Sequence, residues 1–147
     1  MPSVVATLLA EGDGGGYGVH SEMFTTGLMR LHQAGKVTNQ KGTYDGVSVT
    51  TFAAGTRELY DWLHENRDVA FLPVNIVNSP AAIGRNRAMV TINAAMAVDI
   101  QGQVVADTIN AVQYSGIGGH EDFVSGPALA LEDRALLCLP STITLGD

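Results

Sequence analysis

Hydrophobic residues recur at helical spacing in four segments of the chain, and each segment begins or ends with a recognisable capping signal. The predicted helices are residues 2–11, 27–34, 57–66 and 80 to about 86. Pro2 lies near the start of the first helix, and Thr26, Thr56 and Ser79 precede the other three as N-cap residues. Gly35 follows the second helix and is typical of a helix C-terminus.

Runs rich in β-branched residues separate these helices and predict strands. The predicted strands are residues 17–21, 47–52, 69–74, 88–100 and a buried strand at 135–139, and Gln101-Gly102 forms a hairpin turn into residues 103–107. Strands that alternate with helices favour an α/β fold with a mainly parallel sheet and a hairpin near its edge. Ligands bind beyond the carboxyl ends of such strands, so the candidate loops are residues 21–25, 77–80 and 115–123.

Composition narrows the function classes. The 147 residues correspond to one domain, and the charged fraction of 16% is below the roughly 25% of a typical domain. We therefore expect part of the surface to be covered by more protein. The net charge of −7, without a basic cluster, disfavours nucleic-acid binding. We expect no signal peptide, because residues 1–12 lack a basic region, and no membrane segment, because the longest apolar run, residues 88–98, is far too short to span a bilayer. The single cysteine, Cys138, excludes an intrachain disulfide and fits a cytoplasmic location.

Several motifs that suggest chemistry have simpler explanations. The glycines of residues 12–18 do not match a dinucleotide fingerprint, and Gly35-Lys36 lacks the rest of a phosphate loop. We interpret the glycine run as a flexible connection. The four histidines have no metal-ligand spacing, and the adjacent residues His120-Glu121-Asp122 point in different directions, so we expect no metal site. His32 and His64 are expected on solvated helix surfaces, and Cys138 as a small buried hydrophobe.

Two features have a functional and a structural interpretation, and both remain open at this point. The loop Ser115-Gly116-Ile117-Gly118-Gly119 can aim backbone N–H groups at an oxyanion or admit a bulky ligand, or it can be a tight turn with strained φ angles. Glu22 follows a predicted strand between Ser21 and Met23. It is either a nucleophile or base, or a residue favoured by the N-terminus of the next helix.

A series of ordered segments then adds a family resemblance. The chain carries His20-Ser21-Glu22-Met23-Phe24, then Gly27, then Ala34-Gly35-Lys36-Val37-Thr38-Asn39. Further blocks follow in order at residues 52–55 with 59–61, 73–74 with 77–80, 92–95 with 98–99, 102–104 with 106–107, 114–119, 122–123 and 139–142. Together, over about residues 17–142, they resemble the acetyl-CoA hydrolase/transferase family, which includes 4-hydroxybutyrate, acetate and butyrate CoA-transferases.

The resemblance implies a three-layer α/β/α CoA-transferase-like domain with a mainly parallel sheet. Family members are much longer, with an N-terminal domain, a glycine-rich strand-loop that supplies an oxyanion donor, and a later motif with a second glutamate. Residues 1–147 are therefore expected to be a single partial, truncated domain of the C-terminal type. We expect a homo-oligomer, or a partner chain that supplies the missing elements.

The resemblance also implies a mechanism. Glu22 corresponds to the family's nucleophile, which forms a glutamyl-CoA thioester, Asn78 lies beside the reacting carboxylate, and the N–H of Gly119 faces the oxyanion. Gly116, Ile117, Gly118 and Gly119 are the expected CoA contacts. Coenzyme A and acyl-CoA are substrates with a small carboxylate as second substrate, and no permanently bound cofactor is expected.

Three functions follow from the resemblance and its departures. The family's aspartate after the glutamate motif is Thr26 here, and His120 and Glu121 replace a glutamine and a small apolar residue. The first function is an acyl-CoA:carboxylate CoA-transferase. The second is an acetyl-CoA hydrolase, in which water replaces the acceptor. The third is a noncatalytic CoA-binding or assembly module that retains the fold.

Overall fold

Short helices and strands alternate through the computed structural model, which describes residues 2–110, 112–129 and 131–141. The helices are α1 Pro2–Glu11, α2 Thr26–Gln33, α3 Arg57–Leu63, α4 Val74–Val77, α5 Pro80–Ile83 and α6 His120–Ser125, and the 3-10 helix Gly126–Leu129 follows α6. The strands are β1 Met23–Thr25, β2 Ser48–Thr50, β3 Phe52–Ala54, β4 Val69–Phe71, β5 Val90–Ala94, β6 Ala97–Val98, β7 Val104–Val105, β8 Thr108–Ile109, β9 Val112–Gln113 and β10 Arg134–Cys138. Among these helices, none has the length and apolar character needed to cross a membrane.

Most strand pairing is parallel, which confirms the predicted α/β class. β1 pairs with β3, β2 with β4, and β5 with β10, all in parallel, whereas β6–β7 and β8–β9 are antiparallel hairpins. A parallel bridge between His20 and Val49 lies just before the β1–β3 pair. The main chain from His20 into β1 therefore runs beside the main chain from β2 into β3, with Glu22 between the bridge and the first ladder pair.

The capping signals predicted most helix starts to within one residue. Thr56 is the N-cap of α3, as predicted, and its hydroxyl accepts a hydrogen bond from the Leu59 N–H at 3.4 Å. Thr25, rather than the predicted Thr26, is the N-cap of α2. Gly35 adopts φ +69° just after α2, which is the left-handed conformation that glycine provides at a helix end. α1 matches its predicted bounds.

The strand predictions were less accurate. Residues 17–21 form only isolated bridges, and the strand begins at Met23. The predicted strand 47–52 is divided at Thr51, because the N–H groups of Thr51 and Phe52 both turn to the carbonyl of Glu22. The predicted strand 88–100 is divided between β5 and β6. A strand does form near the predicted residues 135–139, but it is not buried as predicted. β10 is exposed over its first three residues, and Cys138 is only half-buried.

Two hydrophobic clusters make up the core. The first contains Val19, Phe24, Met29, Leu59 and Val69. The second contains Val49, Val77, Ile83 and Phe123. The second cluster is the one that carries the candidate site, because Val77 directly precedes Asn78 and Phe123 lies one helical turn after Gly119. The last block of the family resemblance extends to Thr142, which lies outside the described residues.

The prediction that His32 is solvated was wrong. Its Nε2 atom lies 2.8 Å from the hydroxyl of Ser48, and its ring packs against Phe24 and Trp62 at centroid distances of 5.9 and 5.3 Å. Burial lowers the pKa of His32, and the charge of Asp68 partly opposes this effect. The helix period placed His32 on an outer face, but Ser48 and Trp62 come from β2 and α3 and cover it.

Candidate active site

The main chain at Glu22 is fixed by three donors from the β2–β3 connection. Its carbonyl oxygen accepts hydrogen bonds from the N–H groups of Thr51 and Phe52, at 3.0 and 3.2 Å, and from the hydroxyl of Thr50 at 3.0 Å. Thr50 is fully buried, so this anchor is shielded from water. Glu22 as a residue is half-buried. The backbone of Glu22 is thus held independently of its side chain.

Asn78 holds the carboxylate of Glu22. Its Nδ2 group donates a hydrogen bond to Glu22 Oε2 at 2.5 Å, although the two residues are 56 positions apart. Asn78 is buried, and its backbone N–H closes the last turn of α4 on the carbonyl of Val74 at 2.8 Å. A carboxylate only accepts hydrogen bonds, so the donor side of the carboxamide must face Glu22. Asn78 Oδ1 is buried, and no hydrogen-bond partner for it occurs among the described residues.

Gly119 leaves the space that the Glu22 carboxylate occupies. A Cβ atom at this position would overlap Glu22 Oε2 and would lie 2.5 Å from Asn78 Nδ2. Gly119 is the N-cap of α6 with φ −82°, a conformation open to any residue, so the reason for glycine here is space. One residue from each of the three predicted loops therefore meets at this point: Glu22, Asn78 and Gly119.

The other glycines of the loop differ from Gly119. Gly118 has φ +59°, and a Cβ atom there would lie 3.8 Å from Glu22 Oε1. Gly116 has no heavy atom within 4 Å of such a Cβ position. Gly116 and Ile117 are exposed, and Ile117 retains 53% of its accessible surface. Both interpretations of the loop thus have a basis, with a positive φ at Gly118 and a close approach to the carboxylate at Gly119.

An open groove of about 320 Å³ adjoins these residues. It is lined by Val74, Asn75, Asn78, Ser79, Pro80 and Asp122. Asn75 was not predicted as a site residue, because residues 69–74 were predicted to form a strand, whereas Val74 is the first residue of the short helix α4 and Pro73 is its N-cap. Asp122 lies in the first turn of α6, beside His120 and Glu121. No group of three His, Cys, Asp or Glu side chains in the described part of the chain is arranged to hold a metal ion.

His20 lies beneath the site, with both ring nitrogens in polar contacts. Nε2 is 2.7 Å from the carbonyl oxygen of Val77, and Nδ1 is 3.1 Å from Asn86 Nδ2. Burial is the main cause that lowers the pKa of His20, and nearby Lys41 adds to it, while the Val77 carbonyl opposes it. Because the carbonyl only accepts and the amide group donates, the neutral ring carries its proton on Nε2.

Comparison with known proteins identifies the fold family. Residues 55–147 match the model of the acetyl-CoA hydrolase/transferase C-terminal domain. RipA from Yersinia pestis has a solved structure that superposes with a TM-score of 0.89 at 36% identity, over 97% of this chain and 32% of RipA. The 4-hydroxybutyrate CoA-transferase of Porphyromonas gingivalis superposes with a TM-score of 0.81 at 32% identity, over 99% of this chain and 34% of the transferase.

Curated relatives agree with this result. The chain is 42% identical to the 4-hydroxybutyrate coenzyme A transferase of Clostridium kluyveri, over 88% of this chain and 30% of that protein. It is 38% identical to the butyryl-CoA:acetate CoA-transferase of Anaerostipes caccae, over 98% of this chain and 32% of that protein. The chain thus spans about a third of the length of these relatives. The family predicted from the ordered sequence blocks is confirmed: the chain belongs to the acetyl-CoA hydrolase/transferase family.

Proposed function

We propose that the protein is an acyl-CoA:carboxylate CoA-transferase in which Glu22 is the nucleophile. The observation that carries the proposal is the Asn78–Glu22 hydrogen bond of 2.5 Å, made at the edge of an open groove and beside a glycine that leaves the carboxylate room. Nucleophilic attack by a carboxylate requires a fixed oxygen and an open path to a carbonyl carbon. Asn78 orients the group through Oε2, and Oε1 is the oxygen that we assign to the attack.

The proposed first half-reaction moves coenzyme A onto the protein. Glu22 Oε1 attacks the thioester carbonyl carbon, the carbon–sulfur bond breaks, and coenzyme A leaves as a thiolate. The thiolate then attacks Glu22 Cδ in the resulting acyl-glutamyl anhydride. The bond from Cδ to the bridging oxygen breaks, the donor acid leaves as a carboxylate, and a glutamyl-CoA thioester remains.

The second half-reaction is the reverse with a different acid. The acceptor carboxylate attacks Glu22 Cδ and expels the thiolate, which attacks the acyl carbon of the new anhydride. The products are a new acyl-CoA and free Glu22, with no change in oxidation state and no net proton transfer. Each tetrahedral intermediate carries an oxyanion, and we assign the N–H of Gly119 as one of its donors. Gly116, Ile117 and Gly118 are the proposed contacts for coenzyme A, since Gly116 and Ile117 are exposed.

Two further features support the substrate class and the need for more protein. The name of the Anaerostipes caccae relative pairs butyryl-CoA with acetate, and that of the Clostridium kluyveri relative gives 4-hydroxybutyrate, so we propose acetate, butyrate or 4-hydroxybutyrate as acids of the right class. We also propose that residues 1–147 act as one domain of the C-terminal type together with further protein, either another copy or a partner chain. Such an additional chain would cover large apolar side chains that are exposed here, at Val98, Ile100, Val112 and Leu131.

The test is the intact mass of the protein after incubation with butyryl-CoA. We expect an added mass equal to coenzyme A minus water, located on Glu22 by peptide mapping. Glu22→Gln keeps the shape of the side chain and removes the carboxylate, so the adduct should disappear. Glu11→Gln is the matched control, because it removes the same charge from the exposed end of α1. An adduct of the same yield in Glu22→Gln would refute the assignment.

The fate of the adduct separates the three functions. Transfer predicts that the adduct persists until acetate is added and that acetyl-CoA then forms. Decay of the adduct in water at the same rate without acetate would indicate a hydrolase. Calorimetric binding of coenzyme A without any adduct would indicate the noncatalytic binding module, and would overturn the proposed transfer reaction.

A further inference from the structure

One buried imidazole lies on one of the three segments that supply the candidate site and contacts the other two. His20 lies two residues before Glu22 on the same extended segment, and only 7% of its surface is accessible. Its ring reaches Val77, the residue before Asn78, and Phe123, which lies one helical turn after Gly119. The proposed mechanism assigns His20 no step, so its polar contacts require another explanation.

The contact with Val77 fixes the end of α4. His20 Nε2 donates to the Val77 carbonyl oxygen at 2.7 Å, and that carbonyl belongs to the peptide group that continues into Asn78. Val77 itself is fully buried. Both polar atoms of the peptide group before Asn78 are therefore held: the Val77 carbonyl oxygen by His20, and the Asn78 N–H by the carbonyl of Val74. A shift of this peptide group would carry Asn78 Nδ2 away from Glu22 Oε2.

The contact with Phe123 connects the same ring to α6. The two rings meet edge to face, with centroids 6.2 Å apart and planes at 69°. The backbone N–H of Phe123 donates to the carbonyl oxygen of Gly119 at 3.0 Å. The position of Gly119 beside the carboxylate is thus connected to the His20 ring through a single helical turn.

Asn86 fixes the orientation of the ring. Its Nδ2 group lies 3.1 Å from His20 Nδ1 and also donates to the carbonyl oxygen of Ile83 at 2.8 Å. Because Asn86 supplies the hydrogen, Nδ1 is the acceptor, and the ring proton is on Nε2 and points to Val77. Asn86 is 4% exposed, so water does not compete for this contact.

We propose that His20 is a positioning residue that holds Asn78 and Gly119 against Glu22 through the Val77 carbonyl and the ring of Phe123. The expected effect on the rate of adduct formation rests on the proposed function, whereas the expected effect on the Asn78–Glu22 hydrogen bond does not. A ring that only fills space would be replaced by phenylalanine without effect on the site. A positioning ring requires a donor at Nε2, so phenylalanine should not replace it.

The test uses four variants. His20→Phe keeps the ring and removes both hydrogen bonds. His20→Gln places an amide donor at the position of Nε2, within reach of the Val77 carbonyl, whereas His20→Asn is too short to reach it. His32→Phe is the matched control, because His32 is also partly buried, packs against aromatic rings and loses a single 2.8 Å hydrogen bond. If His20→Phe does not fold, His20→Gln and His20→Asn still compare a side chain that reaches the Val77 carbonyl with one that does not.

The first readout is the NMR signal of the Asn78 side-chain amide, which reports its hydrogen bond to Glu22. We expect it to shift in His20→Phe and His20→Asn, to return toward its original position in His20→Gln, and to stay unchanged in His32→Phe. Unchanged signals in all His20 variants would overturn the inference. An equal shift in His32→Phe would also overturn it, because the effect would then follow from a general loss of structure.

The second readout is the rate at which the CoA adduct forms on Glu22. We expect a decrease of at least tenfold in His20→Phe and His20→Asn, and of less than threefold in His20→Gln and His32→Phe. The absence of an adduct in every form of the protein, together with the expected pattern of amide shifts, would overturn the proposed function and support the positioning role. Equal rates in all four variants would overturn the positioning role alone.

Discussion

A single methyl group at Gly119 should separate Glu22 from Asn78. The Cβ atom of alanine would overlap Glu22 Oε2, and it would lie 2.5 Å from Asn78 Nδ2 and 3.1 Å from Glu22 Cδ. Alanine is unstrained at the φ angle of −82° found there, so the collision accounts for the whole perturbation. In Gly119→Ala the carboxylate must move, and the hydrogen bond of 2.5 Å is lost.

The size of the effect follows from that bond. A hydrogen bond to a charged group contributes about 1.5–3 kcal/mol. If this orientation is needed at the transition state, its loss slows adduct formation about ten- to a hundredfold. Stability should fall as well, because Asn78 is buried and its Nδ2 group loses its partner, although the displaced carboxylate of the half-buried Glu22 can turn toward water. We expect the free energy of unfolding to fall by about 1–3 kcal/mol.

The neighbouring glycines provide controls in the same loop. Gly116→Ala adds a methyl group with no heavy atom of the protein within 4 Å, so stability should not change appreciably, and any effect on adduct formation would come from the proposed contact with coenzyme A. Gly118→Ala forces alanine to φ +59°, which costs about 1–2 kcal/mol, but its Cβ would lie 3.8 Å from Glu22 Oε1, an ordinary contact. Stability should therefore fall in both variants, whereas adduct formation should slow more in Gly119→Ala.

The two quantities are measured separately. Rapid-quench intact mass gives the rate of adduct formation, and urea unfolding gives the free energy of unfolding. Adduct formation at the original rate in Gly119→Ala would refute the argument that this glycine makes room for the nucleophile. An equal decrease in Gly116→Ala at saturating butyryl-CoA, where weaker binding no longer limits the rate, would show that the loop responds to any added methyl group.

Two further predictions concern stability. Because the pKa values of His20 and His32 are lowered from 6.5, the unfolded chain binds more protons below about pH 6.5, so the free energy of unfolding should be maximal above that pH and fall on acidification. Urea unfolding at pH 7.5 and 5.5 should show a smaller fall in His32→Phe; an unchanged difference would contradict the assignment. Lys36 Nζ donates to the carbonyl oxygens of Leu9 and Gly12 at the end of α1, so Lys36→Met should lower the melting temperature through a loss of about 1–2 kcal/mol. An unchanged melting temperature would contradict this role.

Local signals explain what the sequence predicted well. The bounds of α1 and the N-cap at Thr56 depend on residues within one helical turn, and both were correct. Strand lengths depend on partners far along the chain. The break at Thr51 exists because the Glu22 carbonyl draws in two N–H groups, and nothing near Thr51 in the sequence indicates this. The predicted burial of β10 was wrong for the same reason, because an apolar segment does not indicate how many neighbouring elements cover it.

In the candidate site, too, the sequence predicted the location of the residues but not the contacts between distant ones. The rule that ligands bind beyond the carboxyl ends of parallel strands selected three loops, and one residue of each lies at the Glu22 carboxylate. The rule did not give the pairing of Asn78 with Glu22 Oε2, because that contact depends on how α4 packs. It also gave no indication that His20 contacts Val77 and Phe123, since a histidine in an extended segment has no local signal for its partners.

The backbone and the side chain of Glu22 are held by different parts of the molecule. Thr50, Thr51 and Phe52 hold the backbone through hydrogen bonds to the Glu22 carbonyl oxygen. The carboxylate is instead contacted by residues that lie next to the second hydrophobic cluster. Val77 and Phe123 belong to that cluster, and each is directly connected to a residue of the site. Substitutions in the first cluster should alter the stability of the chain, whereas substitutions in the second should also displace Asn78 and Gly119. We therefore expect packing in the second cluster to set the geometry of the proposed nucleophile, and His20, which contacts both Val77 and Phe123, adds a hydrogen bond to that packing.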